Sequence, residues 1–131
     1  MEEFIGSRLI KTLDLGIGGA LYGGRMLEMM AEQAAIHAMK LTGEAHLVGF
    51  RFGDVTLRRP VREGEILDFY AGAPHFTSCS VTFPLAGRVG NAQALTAECT
   101  FVAVDAHGNK KKIDRHNPDS PPLQTGDPML Y

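Results

Sequence analysis

The feature that most constrains this chain is a long apolar segment opened by two adjacent glycines. It covers residues 23–39 and follows a glycine-rich loop at residues 16–22. The residues after Gly24 have high helix propensity, and no glycine or proline interrupts them before Gly43. The segment therefore predicts one long helix that ends at Gly43. Because a helix this apolar is usually buried on most sides, we expect a sheet to wrap around it.

Two carboxylates inside this segment need an explanation. Glu28 and Glu32 are four residues apart, so they lie on the same side of the predicted helix. A carboxylate in an apolar setting can act as a general base or as a nucleophile. The plainer alternative is an exposed stripe in which Arg25 pairs with Glu28, three residues further on.

The rest of the chain predicts strands joined by short turns. Alternating apolar residues predict strands at residues 7–15, 47–59, 66–73, 79–85 and 93–104. The apolar pattern shifts by one residue at Gly53, which predicts a bulge in the second strand. Pro84 indicates that the fourth is an edge strand or ends there. An antiparallel sheet around one central helix satisfies this order, and the predicted class is α+β.

Composition narrows the classes of function and the number of domains. The chain has 131 residues, of which 44% are hydrophobic and 21% charged, with a formal net charge of −2. This size fits a single domain, which we expect over residues 1–113. The near-neutral charge argues against nucleic acid or an anionic membrane as the main partner. No apolar run is long enough to span a membrane and no signal segment is evident, so we expect a cytoplasmic protein.

Further features concern the C-terminal tail, the assembly, the cysteines and the histidines. The proline-rich residues 114–131 predict an irregular C-terminal tail. An exposed edge strand would favour a homodimer, or a tetramer or hexamer built from dimers. Cys79 and Cys99 are predicted to be buried, reduced thiols that face each other in a simple hairpin, and no metal-ligand spacing is present. His37 and His46 are expected at the surface or in capping positions.

Three segments carry a resemblance to a known family. They are LYGGRML at residues 21–27 followed by Met30 and EQAA at residues 32–35, VTLRRPVREGEI at residues 55–66, and Thr77-Ser78. In this order and spacing they resemble the hotdog-fold superfamily, most closely its acyl-CoA thioesterases, over residues 13–105. The resemblance implies a hotdog fold and hydrolysis of an acyl-CoA or related thioester without a cofactor.

The chain departs from the family at two positions. Many of these thioesterases carry an acid seven residues after the second glycine of the pair, where this chain has Ala31. Several have an asparagine or histidine before the pair, where this chain offers Gly16 and Gly18. Two alternatives follow: a 3-hydroxyacyl-thioester dehydratase or hydratase, since residues 28–31 resemble a dehydratase motif, and a non-catalytic acyl-thioester binding module. The dehydratases' His-Phe-Pro-Gly loop has no counterpart here.

The resemblance implies roles for particular residues. Glu32 or Glu28 would be the acid/base, with Glu32 slightly favoured, and the helix start at Gly24 would polarise the thioester carbonyl. Ser78 or Thr77 would orient the water across a dimer interface. The expected substrate-binding residues are Tyr22, Gly23, Arg58, Arg59, Arg62 and Thr77. The arginines would suit the phosphates of CoA, although a solvated basic face is an equal alternative.

Overall fold

The computed structural model describes residues 2–113 as one helix and six strands. The elements are β1 Glu3–Leu9, a short 3-10 helix Thr12–Asp14, α1 Gly23–Thr42, β2 Leu47–Leu57, β3 Ile66–Ala71, β4 His75–Phe76, β5 Ser80–Val89 and β6 Ala92–Ala103. The strands form one antiparallel sheet in the order β1-β3-β5-β6-β2, with β4 beside β5. The predicted α+β architecture is confirmed, whereas the predicted tail at residues 114–131 lies outside the described residues.

Helix α1 has the start and the end that the glycines predict. Its N-cap is Tyr22, and Gly43 adopts a left-handed conformation with φ of 72°. The Gly43 N–H donates a hydrogen bond to the Met39 carbonyl at 2.9 Å, which closes the last turn. Glycine is suited to this position because it has no Cβ to clash in that conformation.

The helix packs on the sheet through one face only, so the expected burial on most sides is wrong for the single chain. Its buried residues are Met26, Met29, Met30, Gln33, Ala34, His37, Ala38 and Thr42. They pack against a core that includes Phe69, Phe83, Leu85 and Phe101. His37, expected at the surface or in a capping position, is instead buried. Its ring lies 5.0 Å from the Phe83 ring. This burial lowers the pKa of His37.

The strand boundaries follow the predicted pattern with several differences. The first strand, predicted at residues 7–15, spans Glu3–Leu9 and ends there because the Lys11 N–H donates to Asp14 Oδ2 at 2.8 Å and turns the chain. The two-residue strand β4 was not predicted, and β5, predicted to end at residue 85, continues to Val89. The bulge in β2 is confirmed, since the register with β6 shifts between Gly53 and Thr56, and Asp54 has a φ of 51°.

The prediction that Pro84 marks an edge or a strand end is wrong. Pro84 lies inside β5, opposite Glu98 of β6. Its carbonyl accepts a hydrogen bond from the Gly72 N–H at 2.9 Å, just after β3 ends. Nitrogen and carbonyl of one residue face the same neighbour in an antiparallel strand. The Pro84 nitrogen therefore faces the gap between β3 and β4. Within the described part of the chain, no strand residue pairs with it there, so the absence of an N–H breaks no hydrogen bond of the sheet.

The two cysteines are free and buried, as predicted, but they do not face each other. Cys99 lies opposite Phe83, while the Cys79 carbonyl accepts a hydrogen bond from Ala103 N–H. The register of the β5–β6 hairpin is shifted relative to the simple one, with an irregularity at Gly87 and Arg88. Burial raises the pKa of Cys99 to about 12, so this thiol stays protonated at neutral pH.

The C-terminal end of α1 at Gly43 gives a prediction about stability. Gly43→Ala should lower the free energy of unfolding by about 1 kcal/mol, because an L-residue is strained in the left-handed conformation. Gly18→Ala is the matched control, since Gly18 has open space around its Cβ position and no positive φ. Urea denaturation of both variants checks this. Equal stability of the two variants would contradict the assigned helix end.

Candidate active site

A groove runs between the N-terminal half of α1 and strand β2. It has a volume of about 460 Å³ and is lined by Gly24, Leu27, Glu28, Met30, Ala31, Phe52 and Val55. The wall from β2 is apolar, and Phe52 and Val55 flank the bulge at Gly53. The wall from α1 contributes a carboxylate, Glu28. The groove can therefore hold an apolar group beside an acid or base.

A second groove of about 370 Å³ lies at the start of the helix. Its lining residues are Ala20, Leu21, Gly23, Met26, Leu57, Arg58, Arg59 and Pro60. The glycine pair separates the two grooves, with Gly23 in one and Gly24 in the other. Among the described residues no side chain caps this helix end. The first backbone N–H groups and the positive end of the helix dipole are thus available to a carbonyl oxygen.

Close packing also explains the glycine pair. A Cβ on Gly24 would lie 2.6 Å from Cε2 of the Tyr22 ring, and a Cβ on Gly23 would lie 3.3 Å from Cδ1 of Leu57. The glycine pair therefore lets the helix start lie close to Tyr22 and Leu57, in addition to its place in the grooves. Tyr22 itself is exposed beside them.

The two helix glutamates have different surroundings. The Glu28 side chain is 67% exposed, lines the groove toward β2 and is in contact with Arg25. The Glu32 side chain is 60% exposed and pairs with Arg8 of β1, with Arg8 Nη1 2.8 Å from Glu32 Oε1. Strand β1 lies at the opposite edge of the sheet from β2. The plain Arg25–Glu28 ion pair foreseen in the sequence is thus present, and neither carboxylate is buried in the single chain.

Arg25 is itself held by a buried acid. Its Nε donates to Asp14 Oδ1 at 2.9 Å, and Asp14 is only 4% exposed. The hydrogen bond from the Lys11 N–H and the one from Arg25 lower the pKa of Asp14. Pairing with Asp14 and Glu28 raises the pKa of Arg25. Sequence reasoning missed Asp14, for which the signal was an acid nine residues before the glycine pair.

The predicted polar pair Thr77 and Ser78 does not meet the groove within one chain. Thr77 is buried and its Oγ1 lies 2.5 Å from Ser80 Oγ at the start of β5, while Ser78 is exposed. This end of the sheet carries the beginning of β2, whereas the helix starts beside Leu57 at the end of β2. An eleven-residue strand separates the two ends by about 30 Å.

The three arginines predicted to bind substrate lie in two different places. Arg58 and Arg59 line the groove at the helix start. Arg58 Nε donates to Thr96 Oγ1 at 3.0 Å, and Arg59 Nη2 lies 3.3 Å from a Glu65 carboxylate oxygen. Arg62 is exposed and does not line that groove. The structure therefore groups two of the three basic side chains with Gly23.

The described residues also bear on membrane insertion and metal binding. Within residues 2–113, no helix is long and apolar enough to cross a membrane. In the same part of the chain, no group of three or more His, Cys, Asp and Glu side chains is arranged to hold a metal ion.

Comparison with solved structures gives clear matches. A hexameric broad-specificity acyl-coenzyme A thioesterase, solved as a variant with an aspartate replaced by alanine, has a TM-score of 0.80 and 21% identity over 89% of this chain and 90% of that chain. A hexameric hotdog-fold thioesterase of Campylobacter jejuni has a TM-score of 0.74 and 21% identity over 88% and 92%. An acyl-CoA hydrolase from Staphylococcus aureus, in complex with butyryl coenzyme A, coenzyme A and coenzyme A disulfide, has a TM-score of 0.74 and 24% identity over 98% and 74%. No protein-family model matches the chain, and no curated protein matches its sequence.

Proposed function

The chain has the hotdog fold, and on that premise we propose that it hydrolyses an acyl-CoA or related acyl thioester to the free acid and a thiol. One observation carries the proposal. The groove between α1 and β2 places Glu28 one turn after the unoccupied backbone donors at Gly23 and Gly24, next to apolar walls. A carbonyl polariser, a base and an apolar cleft are the parts that thioester hydrolysis needs.

The proposed reaction uses the backbone N–H groups at the helix start and the Glu28 carboxylate. Backbone N–H groups at the helix start stabilise the oxyanion that develops on the thioester carbonyl. Glu28 takes a proton from a water molecule, whose oxygen attacks the carbonyl carbon. The C–S bond then breaks, and the proton passes to the departing thiolate sulfur. Glycine at position 24 lets the thioester approach the backbone closely.

We assign the base to Glu28, although the family resemblance favours Glu32. Glu28 lines the groove together with Ala31, where the family resemblance expects an acid. Glu32 shares the helix face of Glu28 but pairs with Arg8 of β1 and does not line the groove. An alanine at position 31 leaves room in the groove, so a carboxylate from the preceding turn can reach the space that the missing acid would occupy.

The base assignment predicts different effects of two matched variants. Glu28→Gln should lower kcat by about 10²-fold, because it keeps the size of the side chain and removes the base. Glu32→Gln should change kcat by less than about 3-fold, since that carboxylate lies outside the groove. Release of free thiol from the best acyl thioester measures both. A larger loss in Glu32→Gln, or no loss in either variant, would contradict the assignment.

The ligand is proposed to be of the CoA type. The apolar groove suits an acyl chain, and Arg58 and Arg59 stand beside the helix start, where they could meet the phosphates of the nucleotide. The described structural neighbours act on or bind CoA compounds. They are hydrolases, so they lend no support to a dehydratase or to a pure binding module. A cytoplasmic location and the absence of a cofactor stay predictions from the sequence.

We propose a dimer in which two copies of β2 pair edge to edge. Strand β2 is an edge of the sheet and exposes Val48, Phe50 and Phe52. An antiparallel pair about a two-fold axis reverses the second β2 strand, so Ser78 of the partner subunit would approach the helix start of the first. That geometry supports the predicted role of Thr77 or Ser78 across the interface. The hexameric neighbours support larger assemblies built from dimers.

The dimer gives a prediction with a matched control. Sedimentation at micromolar concentration should give a dimer or a multiple of it. Phe50→Asp should produce monomers, because it puts a charge on the exposed face of β2. Phe4→Asp, on the exposed edge strand β1, should leave the dimer intact, since Phe4 is similarly exposed (54% against 48%). A monomeric unmodified protein, or dissociation by Phe4→Asp alone, would contradict pairing through β2.

A further inference from the structure

We propose that Arg25, anchored by Asp14, is a positioning residue that holds the Glu28 carboxylate in the groove for catalysis. The inference rests on the proposed function, because it gives the carboxylate assigned as base its orientation. Three side chains form the device, in the order Asp14, Arg25 and Glu28, and each lies on or next to the start of α1.

Asp14, the anchor of the device, is buried, and each of its two carboxylate oxygens accepts a hydrogen bond. Asp14 Oδ2 accepts a hydrogen bond from the Lys11 N–H at 2.8 Å, and Asp14 Oδ1 accepts one from Arg25 Nε at 2.9 Å. The Asp14 carbonyl also accepts the Tyr22 N–H at 3.0 Å, so the same residue fixes the N-cap of α1. The lowered pKa of Asp14 keeps this carboxylate charged at neutral pH.

The guanidinium uses different nitrogens for its two partners. Nε faces Asp14, and Nη1 contacts Glu28 Oε1. Because the guanidinium is planar and rigid, fixing Nε on Asp14 also fixes the direction of Nη1. An exposed glutamate otherwise samples several rotamers at little cost. Arg25 therefore restricts the rotamers of Glu28, a residue that lines the groove.

A second arginine–glutamate pair, between β1 and the helix, offers a comparison. Arg8 contacts Glu32 with one guanidinium nitrogen, and among residues 2–113 no further hydrogen bond to the Arg8 side chain is present. The pair lies outside the groove. Both glutamates are exposed side chains of α1, but only Arg25 has a buried anchor and a partner that lines the groove.

The experiment measures kcat and KM of thiol release for Arg25→Gln, Arg25→Lys and the double variant Arg25→Gln/Glu28→Gln. Arg8→Gln is the matched control. We expect Arg25→Gln to lower kcat roughly tenfold with little change in KM, because a misplaced base slows the chemical step. Arg25→Lys should restore only part of kcat, because it keeps the cation but lacks the planar guanidinium that bonds both carboxylates. The double variant should be no slower than Glu28→Gln alone.

The outcomes separate this inference from the proposed function. Loss of activity in Glu28→Gln together with unchanged kcat in Arg25→Gln would overturn the positioning role alone. Equal effects of Arg25→Gln and Arg8→Gln, or additive losses in the double variant, would also overturn it. Full activity of Glu28→Gln would overturn the base assignment and, with it, the role of Arg25. Melting temperatures of all variants identify any loss that comes from unfolding, and Arg25→Lys tests the device in a fold that keeps the charge.

Discussion

The position of Asp14 is the constraint on which the rest of the site depends. Its carboxylate caps the start of the 3-10 helix by accepting the Lys11 N–H and also holds Arg25, while its carbonyl accepts the Tyr22 N–H at the N-cap of α1. A buried charge is stable only when its hydrogen-bonding capacity is used, so these contacts have to form together. They fix where α1 begins, and with it the place of the glycine pair between two grooves.

The second constraint is that the groove is open in one chain. Strand β2 supplies one wall of the groove and is at the same time an edge strand with exposed apolar side chains. Leu27, Ile36 and Met39 of α1 are also partly exposed. Pairing through β2 would cover such surface and bring a second set of polar residues to the helix start. The proposed chemistry and the proposed assembly thus depend on the same strand.

Sequence patterns predicted the elements of this fold better than their relations in space. Helix propensity and Gly43 located α1, and the phase shift at Gly53 located the bulge, because both effects are local. Register and neighbours are not local. The shifted β5–β6 hairpin separated Cys79 from Cys99, and Pro84 is tolerated in an inner strand only because β3 ends beside it. Likewise, spacing placed Glu28 and Glu32 on one helix face. It also foresaw the Arg25–Glu28 pair, which is local to the helix, whereas the contact of Glu32 with Arg8 of β1 depends on how the helix is rotated over the sheet.

The central claim is that a chain with Ala31 in place of the expected acid still hydrolyses thioesters. The most direct test measures thiol released by the unmodified protein from short, long and aromatic acyl-CoAs, with a chromogenic thiol reagent. The account predicts catalytic release of free CoA, with rates that depend on the acyl group because the groove is apolar. Thermal stabilisation by acyl-CoA without any thiol release would contradict it and indicate a binding module. An enoyl absorbance from 3-hydroxyacyl thioesters, again without thiol, would contradict it in favour of a dehydratase.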